Sequence, residues 1–157
     1  MIALIAGCGG QEVTPERLGA ARQTWQRARV DDYDLEWTST GARNVHYRVF
    51  VRNGEVEAIY SVLPDGREVV ARPGEPKYFG VDGLFRTIDD DLAQLGSANP
   101  FGQPAGTKIV LRFRPDPTYG YPMSYRCDVL GTPQTRALDV RKFVPNPGRA
   151  IPPPGPS

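Results

Sequence analysis

Val45-His46-Tyr47-Arg48-Val49-Phe50-Val51-Arg52-Asn53-Gly54-Glu55-Val56-Glu57-Ala58-Ile59-Tyr60 is the stretch on which the fold turns. Val45, Tyr47, Val49 and Val51 alternate with His46, Arg48 and Arg52, a period of two that suits a strand with one buried face. Asn53-Gly54 follows, and a type I′ turn needs positive φ at both central residues, which Asn and Gly tolerate best. With the turn placed there, Arg52 is expected opposite Glu55, Val51 opposite Val56, Val49 opposite Ala58 and Tyr47 opposite Tyr60. Apolar then meets apolar and Arg meets Glu, so pattern and turn agree on one register.

Upstream of this hairpin, Tyr33, Leu35 and Trp37 alternate with Asp34, Glu36 and Thr38 and predict another strand. Before it the period is helical. Thr14-Pro15 reads as a hydroxyl N-cap with proline in the first turn. Leu18, Ala21, Trp25 and Ala28 then form one stripe, leaving Arg17, Arg22, Gln26 and Arg29 for solvent, and the helix ends near Val30-Asp31-Asp32. Downstream, Asp65-Gly66 suggests a second turn into Glu68–Ala71, and Pro73-Gly74-Glu75-Pro76 closes the first half. Val81, Leu84, Phe85, Ile88, Leu92 and Leu95 recur at helical spacing, with Gly96 beyond them.

A Gly- and Pro-rich loop, 97–106, leads to a strand in which Ile109, Leu111 and Phe113 alternate with Val110, Arg112 and Arg114. After the loop 115–122, Met123, Tyr125, Cys127 and Val129 mark another strand, and 137–144 a last one. The reading is α+β: helix, three or four strands, helix, three strands, with an antiparallel sheet carrying both helices on one face. The chain has 157 residues, enough for one domain, here 14–144. Pro145 onward holds six prolines in thirteen residues, and 145–157 is expected to be a disordered tail.

Residues 1–7 are apolar and uncharged and end at Cys8. Ile5-Ala6-Gly7-Cys8 resembles the lipobox of bacterial lipoproteins, with 1–7 as a truncated signal and 8–13 as a tether. The resemblance implies export, acylation of Cys8 and a membrane partner reached through that lipid. The stretch is short for a signal and lacks a positive start, and an N-terminal strand with an ordinary cysteine is the competing reading. Trp25, Asp32-Tyr33, Asn53-Gly54, Phe85, Ile88 and Asp116-Pro117-Thr118-Tyr119-Gly120-Tyr121-Pro122 occur in that order. In this the chain resembles a family of small secreted bacterial proteins, many of them lipoproteins, that share a domain of unknown function. The resemblance covers about 14–144 and implies fold and location, not an activity.

Lys and Arg number 19 and Asp and Glu 18, so a nucleic-acid partner is not expected. Two cysteines and one histidine leave no ligand set for structural zinc, and neither metal nor cofactor is expected. Cys127 and His46 could in principle serve as nucleophile and base, and nothing in the spacing of Asp34, Glu36 and Glu57 selects a pair of catalytic carboxylates. Cys127 shares the phase of Met123, Tyr125 and Val129, which argues for an inert core thiol. Asp89-Asp90-Asp91 diverge by about 100° per residue on a helix and read as a solvated face. No phosphate loop or nucleophile elbow occurs, and the expectation is a non-enzymatic binding or structural module of the cell envelope. An inhibitor or accessory subunit of an envelope enzyme is the alternative, and an unrecognised hydrolase a weaker one.

Two contact sites are candidates. Tyr119, Gly120, Tyr121 and Pro122 form a rigid loop that either packs against the domain, the favoured reading, or presents two tyrosines to a partner. Arg112, Arg114 and Arg126 lie out of phase with the apolar set and should share one exposed sheet face. That face suits an anionic envelope polymer or an acidic protein patch, although solvated strand charges are the commoner explanation.

Overall fold

Thr14 holds extended backbone, and its Oγ1 accepts a hydrogen bond from Arg17 N at 3.2 Å. This starts helix α1 (Pro15–Ala28), which stops where Arg29 turns left-handed and buries Leu18, Ala21 and Trp25. Helix α2 (Val81–Gln94) buries Leu84, Phe85 and Ile88, one stripe of an amphipathic helix. The computed structural model describes residues 9–156.

Eight strands accompany the helices: β1 (Gln11–Glu12), β2 (Tyr33–Thr40), β3 (Val45–Arg52), β4 (Glu55–Val62), β5 (Glu68–Val70), β6 (Ile109–Pro115), β7 (Pro122–Val129) and β8 (Thr135–Pro145). They form one antiparallel sheet in the order β1-β6-β7-β8-β2-β3-β4-β5. Among the described residues the chain is therefore α+β, with one eight-stranded antiparallel sheet and two α-helices. Successive strands pair through hairpins in two runs, β2 to β5 and β6 to β8. The runs are joined by β2 pairing with β8, from Tyr33 opposite Pro145 to Thr40 opposite Ala137.

The core lies between the helices and one face of this sheet. It joins Leu18, Trp25, Leu84, Phe85 and Ile88 to Leu35, Val49, Leu111, Phe113 and Tyr125. Polar tips at its edge are bonded, as buried aromatics require. Trp25 Nε1 donates to Asp82 Oδ1 at 3.1 Å, Trp37 Nε1 to Phe79 O at 3.0 Å, and Val81 N to Tyr33 Oη at 2.9 Å. Helix α2 is thereby fixed at its N-terminal end to both α1 and β2.

The hairpin around Asn53-Gly54 departs from the expected register. Arg52 faces Glu55 and Val51 faces Val56, but Phe50 then faces Ala58 and Val49 faces Ile59. Glu57 is the extra residue of a β-bulge and is exposed. The physical reason is the size of the core partner. Without the bulge Ala58 would meet Val49 and Ile59 would leave the core; with it Ile59 and Val49 pack together, both buried.

The bulge also sends Tyr60 to the sheet face away from the helices, where its ring lies 5.0 Å from that of Phe50. Both are buried there, and the covering segment is the one whose composition predicts disorder. Tyr60 Oη donates to Pro152 O at 2.8 Å, and Arg52 Nε and Nη2 reach Arg149 O and Ala150 O at 3.4 and 3.3 Å. Gly155 N donates to Glu68 Oε2 at 2.7 Å. A proline-rich chain lacks N–H groups for a sheet ladder but keeps every carbonyl, and those carbonyls are what the domain holds. At the other end, Gln11 and Glu12 pair with Phe113 and Arg112, and Val13 is buried. Strand pairing at Gln11–Glu12 and the hydrogen bonds of Arg149 to Gly155 thus lie outside residues 14–144.

Candidate functional site

On the face away from the helices, β6 and β7 bring the three predicted arginines together. Arg112 is the direct cross-strand partner of Arg126, and Arg114 follows two residues along β6 opposite Ser124. All three are exposed. Like charges placed opposite one another repel by several tenths of a kcal/mol or more, so the arrangement gains nothing for the fold itself. Arg126 approaches Asp139 at 3.9 Å, a long and solvent-exposed ion pair. The side chains of Arg112 and Arg114 form no hydrogen bond or ion pair among the described residues. Glu12, opposite Arg112 on β1, is the nearest acidic position on the remaining side.

These arginines and Asp139 line a cleft of about 170 Å³, whose other wall is Gly9 and Gly10. Gly10 runs so close to β6 that an added Cβ would lie 2.6 Å from Phe113 O. Gly9 is the residue after Cys8, so the basic cleft opens at the point where the described chain begins. Cys8 itself lies outside the described residues.

The tyrosine loop is placed against α1. Gly120 has φ +81°, and a Cβ there would sit 2.4 Å from Ala21 O and 3.0 Å from Trp25 N. Asp116 ties the loop: its Oδ1 accepts from Thr118 N and Tyr119 N at 2.9 and 2.6 Å, and its backbone N donates to Tyr121 O at 2.8 Å. The Tyr121 ring is 8% exposed and lies 4.5 Å from Phe143, which also meets Tyr119 and Trp25. Burial, and after it the Asp116 carboxylate, push the Tyr121 phenol up to about 12. Pro122 opens β7 and is itself buried. These contacts support the packing role and leave only the half-buried Tyr119 to offer surface.

Cys127 and His46 are not brought together. Cys127 is buried on the helix-facing side, and burial and the neighbouring Asp128 raise its thiol above the usual range. His46 lies on the opposite face, where its Nε2 is 2.6 Å from Glu36 Oε1. A thiol and an imidazole on opposite faces of one sheet cannot exchange a proton directly.

The three aspartates of α2 diverge as helical geometry demands, but they are not a uniform solvated face. Asp90 is exposed, whereas Asp89 pairs with Arg22 of α1. Asp91 is buried, accepting from Tyr125 Oη at 2.7 Å and pairing with Arg136 through the same oxygen. Periodicity did not reveal this because a buried carboxylate needs a partner cation, and Arg136 lies on a strand distant in sequence.

A second charged group escaped sequence reasoning. Arg52 is only 3% exposed, with Nη1 2.9 Å from Asp34 Oδ1. The same nitrogen donates to Tyr33 O and Val51 O, so the contact with Asp34 is an ion pair rather than a directed hydrogen bond. The signal available was Phe50, an apolar residue on a strand face otherwise read as polar. No protein-family model matches the chain, and no curated protein matches it significantly.

Proposed function

We propose that the chain is an exported cell-envelope lipoprotein acting as a non-enzymatic binding module, with the Arg112–Arg114–Arg126 face receiving an anionic envelope polymer. The observation that carries this reading is the juxtaposition of three exposed arginines, against Asp139 and Glu12, in a cleft bordered by Gly9. A domain gains little from stacking like charges on one face, whereas an anionic ligand gains from each. Acylation of Cys8 would hold the same face within a few residue lengths of the membrane, in the compartment where such polymers lie. Two or more acyl chains make that attachment stable, because each buried CH₂ contributes about 0.8 kcal/mol.

The resemblance to small secreted lipoproteins, with its helix and strand order, agrees with this reading and adds no activity to it. The accessory-subunit reading uses the same face against an acidic protein patch. Both parts are tested with the full chain expressed behind a complete signal. The protein is expected to enter the detergent phase and to incorporate a palmitate analogue, and Cys8→Ser should abolish both. Unmutated protein that stays aqueous and unlabelled contradicts the anchor. Capture from envelope fractions by the arginine face should recover polymer, and recovery of a stoichiometric acidic protein instead favours the accessory reading.

A further inference from the structure

The sheet face that carries Phe50, Arg52, Tyr60 and Glu68 is covered by the C-terminal segment of the same chain, and the manner of covering identifies what the face recognises. Every hydrogen bond between them is to main-chain atoms of the segment: the carbonyls of Arg149, Ala150 and Pro152, and the amide of Gly155. None reads a side chain. Ala150-Ile151-Pro152-Pro153-Pro154-Gly155-Pro156 contains four prolines, whose fixed φ favours the extended polyproline II form. An aromatic pair with a phenol donating to a carbonyl is how grooves recognise such segments, because the ligand is already ordered and its carbonyls project freely.

The attachment is also built to exchange. The two guanidinium bonds to the segment are long, at 3.4 and 3.3 Å, while Arg52 keeps shorter bonds to Val51 O and Tyr33 O within the sheet. Arg52 therefore retains its sheet partners and Asp34 when the segment leaves. The chain enters the segment through Asn146 and Gly148, both at positive φ, a turn rather than a continued strand. Beside the segment the groove continues as an open cleft of about 370 Å³, lined by Phe50, Val62, Val144, Arg48, Glu68 and Lys142. The groove is thus longer than its own tail fills.

We propose that this face is a recognition groove for proline-rich extended segments of other polypeptides, closed in cis by the chain's own tail. The inference is independent of the arginine face and of the lipid anchor. The tail acts as a tethered competitor, and a short tether holds it at an effective concentration in the millimolar range. A segment supplied in trans therefore binds the intact chain weakly and the opened chain well.

The test uses the full chain with a protease site inserted between Gly148 and Arg149, and a fluorescent synthetic peptide of residues 149–157 as the probe. After cutting, the chain is expected to keep its circular dichroism spectrum, release its own tail on dilution, and bind the probe at least tenfold more tightly than the uncut chain. A probe with Pro152, Pro153 and Pro154 replaced by alanine should bind at least fivefold less tightly. Tyr60→Phe, which removes only the donor to Pro152 O, should weaken the probe about fivefold, the worth of one ordinary hydrogen bond. A cut chain that stays folded but ignores the probe overturns the proposal, as does equal binding of the alanine probe. Loss of fold on cutting also overturns it, because the tail is then part of the core and not an occupant.

Discussion

Gly120 shows most directly how one residue positions an element. Its φ of +81° is strained for any other residue, and the space where a Cβ would go is taken by the Ala21 carbonyl. Backbone cannot swing aside as a flexible side chain can. Gly120→Ala is therefore expected to lose about 2–3 kcal/mol, the upper range for left-handed strain at a non-glycine residue. Tyr121→Ala should lose about 3 kcal/mol or more through the missing ring against Phe143. Thermal denaturation reads both, and an unchanged melting curve for the two variants would return this loop to the list of contact surfaces. Burial and the neighbouring carboxylate both disfavour the Cys127 thiolate, so alkylation should be slow in native protein and fast after unfolding. Rapid native labelling would contradict its placement.

Among elements, the helices and most strands were legible because their periodicity is local. Thr14-Pro15 and Asn53-Gly54 carry their own geometry, and the structure uses both. The bulge in β4 was not legible, since it depends on whether Ala58 or Ile59 better fills the space beside Val49, a matter of packing and not of pattern. The contacts of the tail were not legible for a related reason: its main-chain groups find partners in Arg52, Tyr60 and Glu68, on a sheet face that no local pattern marks. Glu68 joins tail and sheet. Its carboxyl is raised by burial, but the hydrogen bonds from Arg48 and Gly155 N, with the Arg48 charge, outweigh that and hold it below the usual 4.5. A depressed folded value means that its contribution is complete above pH 4.5 and lost as pH falls through the lower folded value. The protection factor of the Gly155 amide, taken against the intrinsic exchange rate at each pH, should therefore fall on acidification below that range before that of the core strands does. Simultaneous loss of protection in tail and core would show that Glu68 does not control the tail.

At the scale of the molecule, the two hairpin runs are each readable from sequence, but their joint is not. Pairing of β2 with β8 links the start of the sheet to its end, and no local signal reports it. That joint places the basic β6–β7 face and the tail-covered β3–β5 face in one continuous sheet. Arg112, Arg114 and Arg126 share an exposed sheet face, Arg112 is the cross-strand partner of Arg126, and all three line a cleft with Gly9. The central claim is that these arginines bind polyanions. It is tested most directly by titrating the described domain with a poly(glycerol phosphate) chain and repeating the titration with Arg112, Arg114 and Arg126 all changed to serine. The native face should bind, weakening as salt rises because exposed charges are screened beyond about 10 Å at 0.1 M. The triple variant should keep its stability within about 0.5 kcal/mol, as surface changes do, and lose most of the affinity. Equal binding by both proteins, or none by the native one at low salt, would contradict the account.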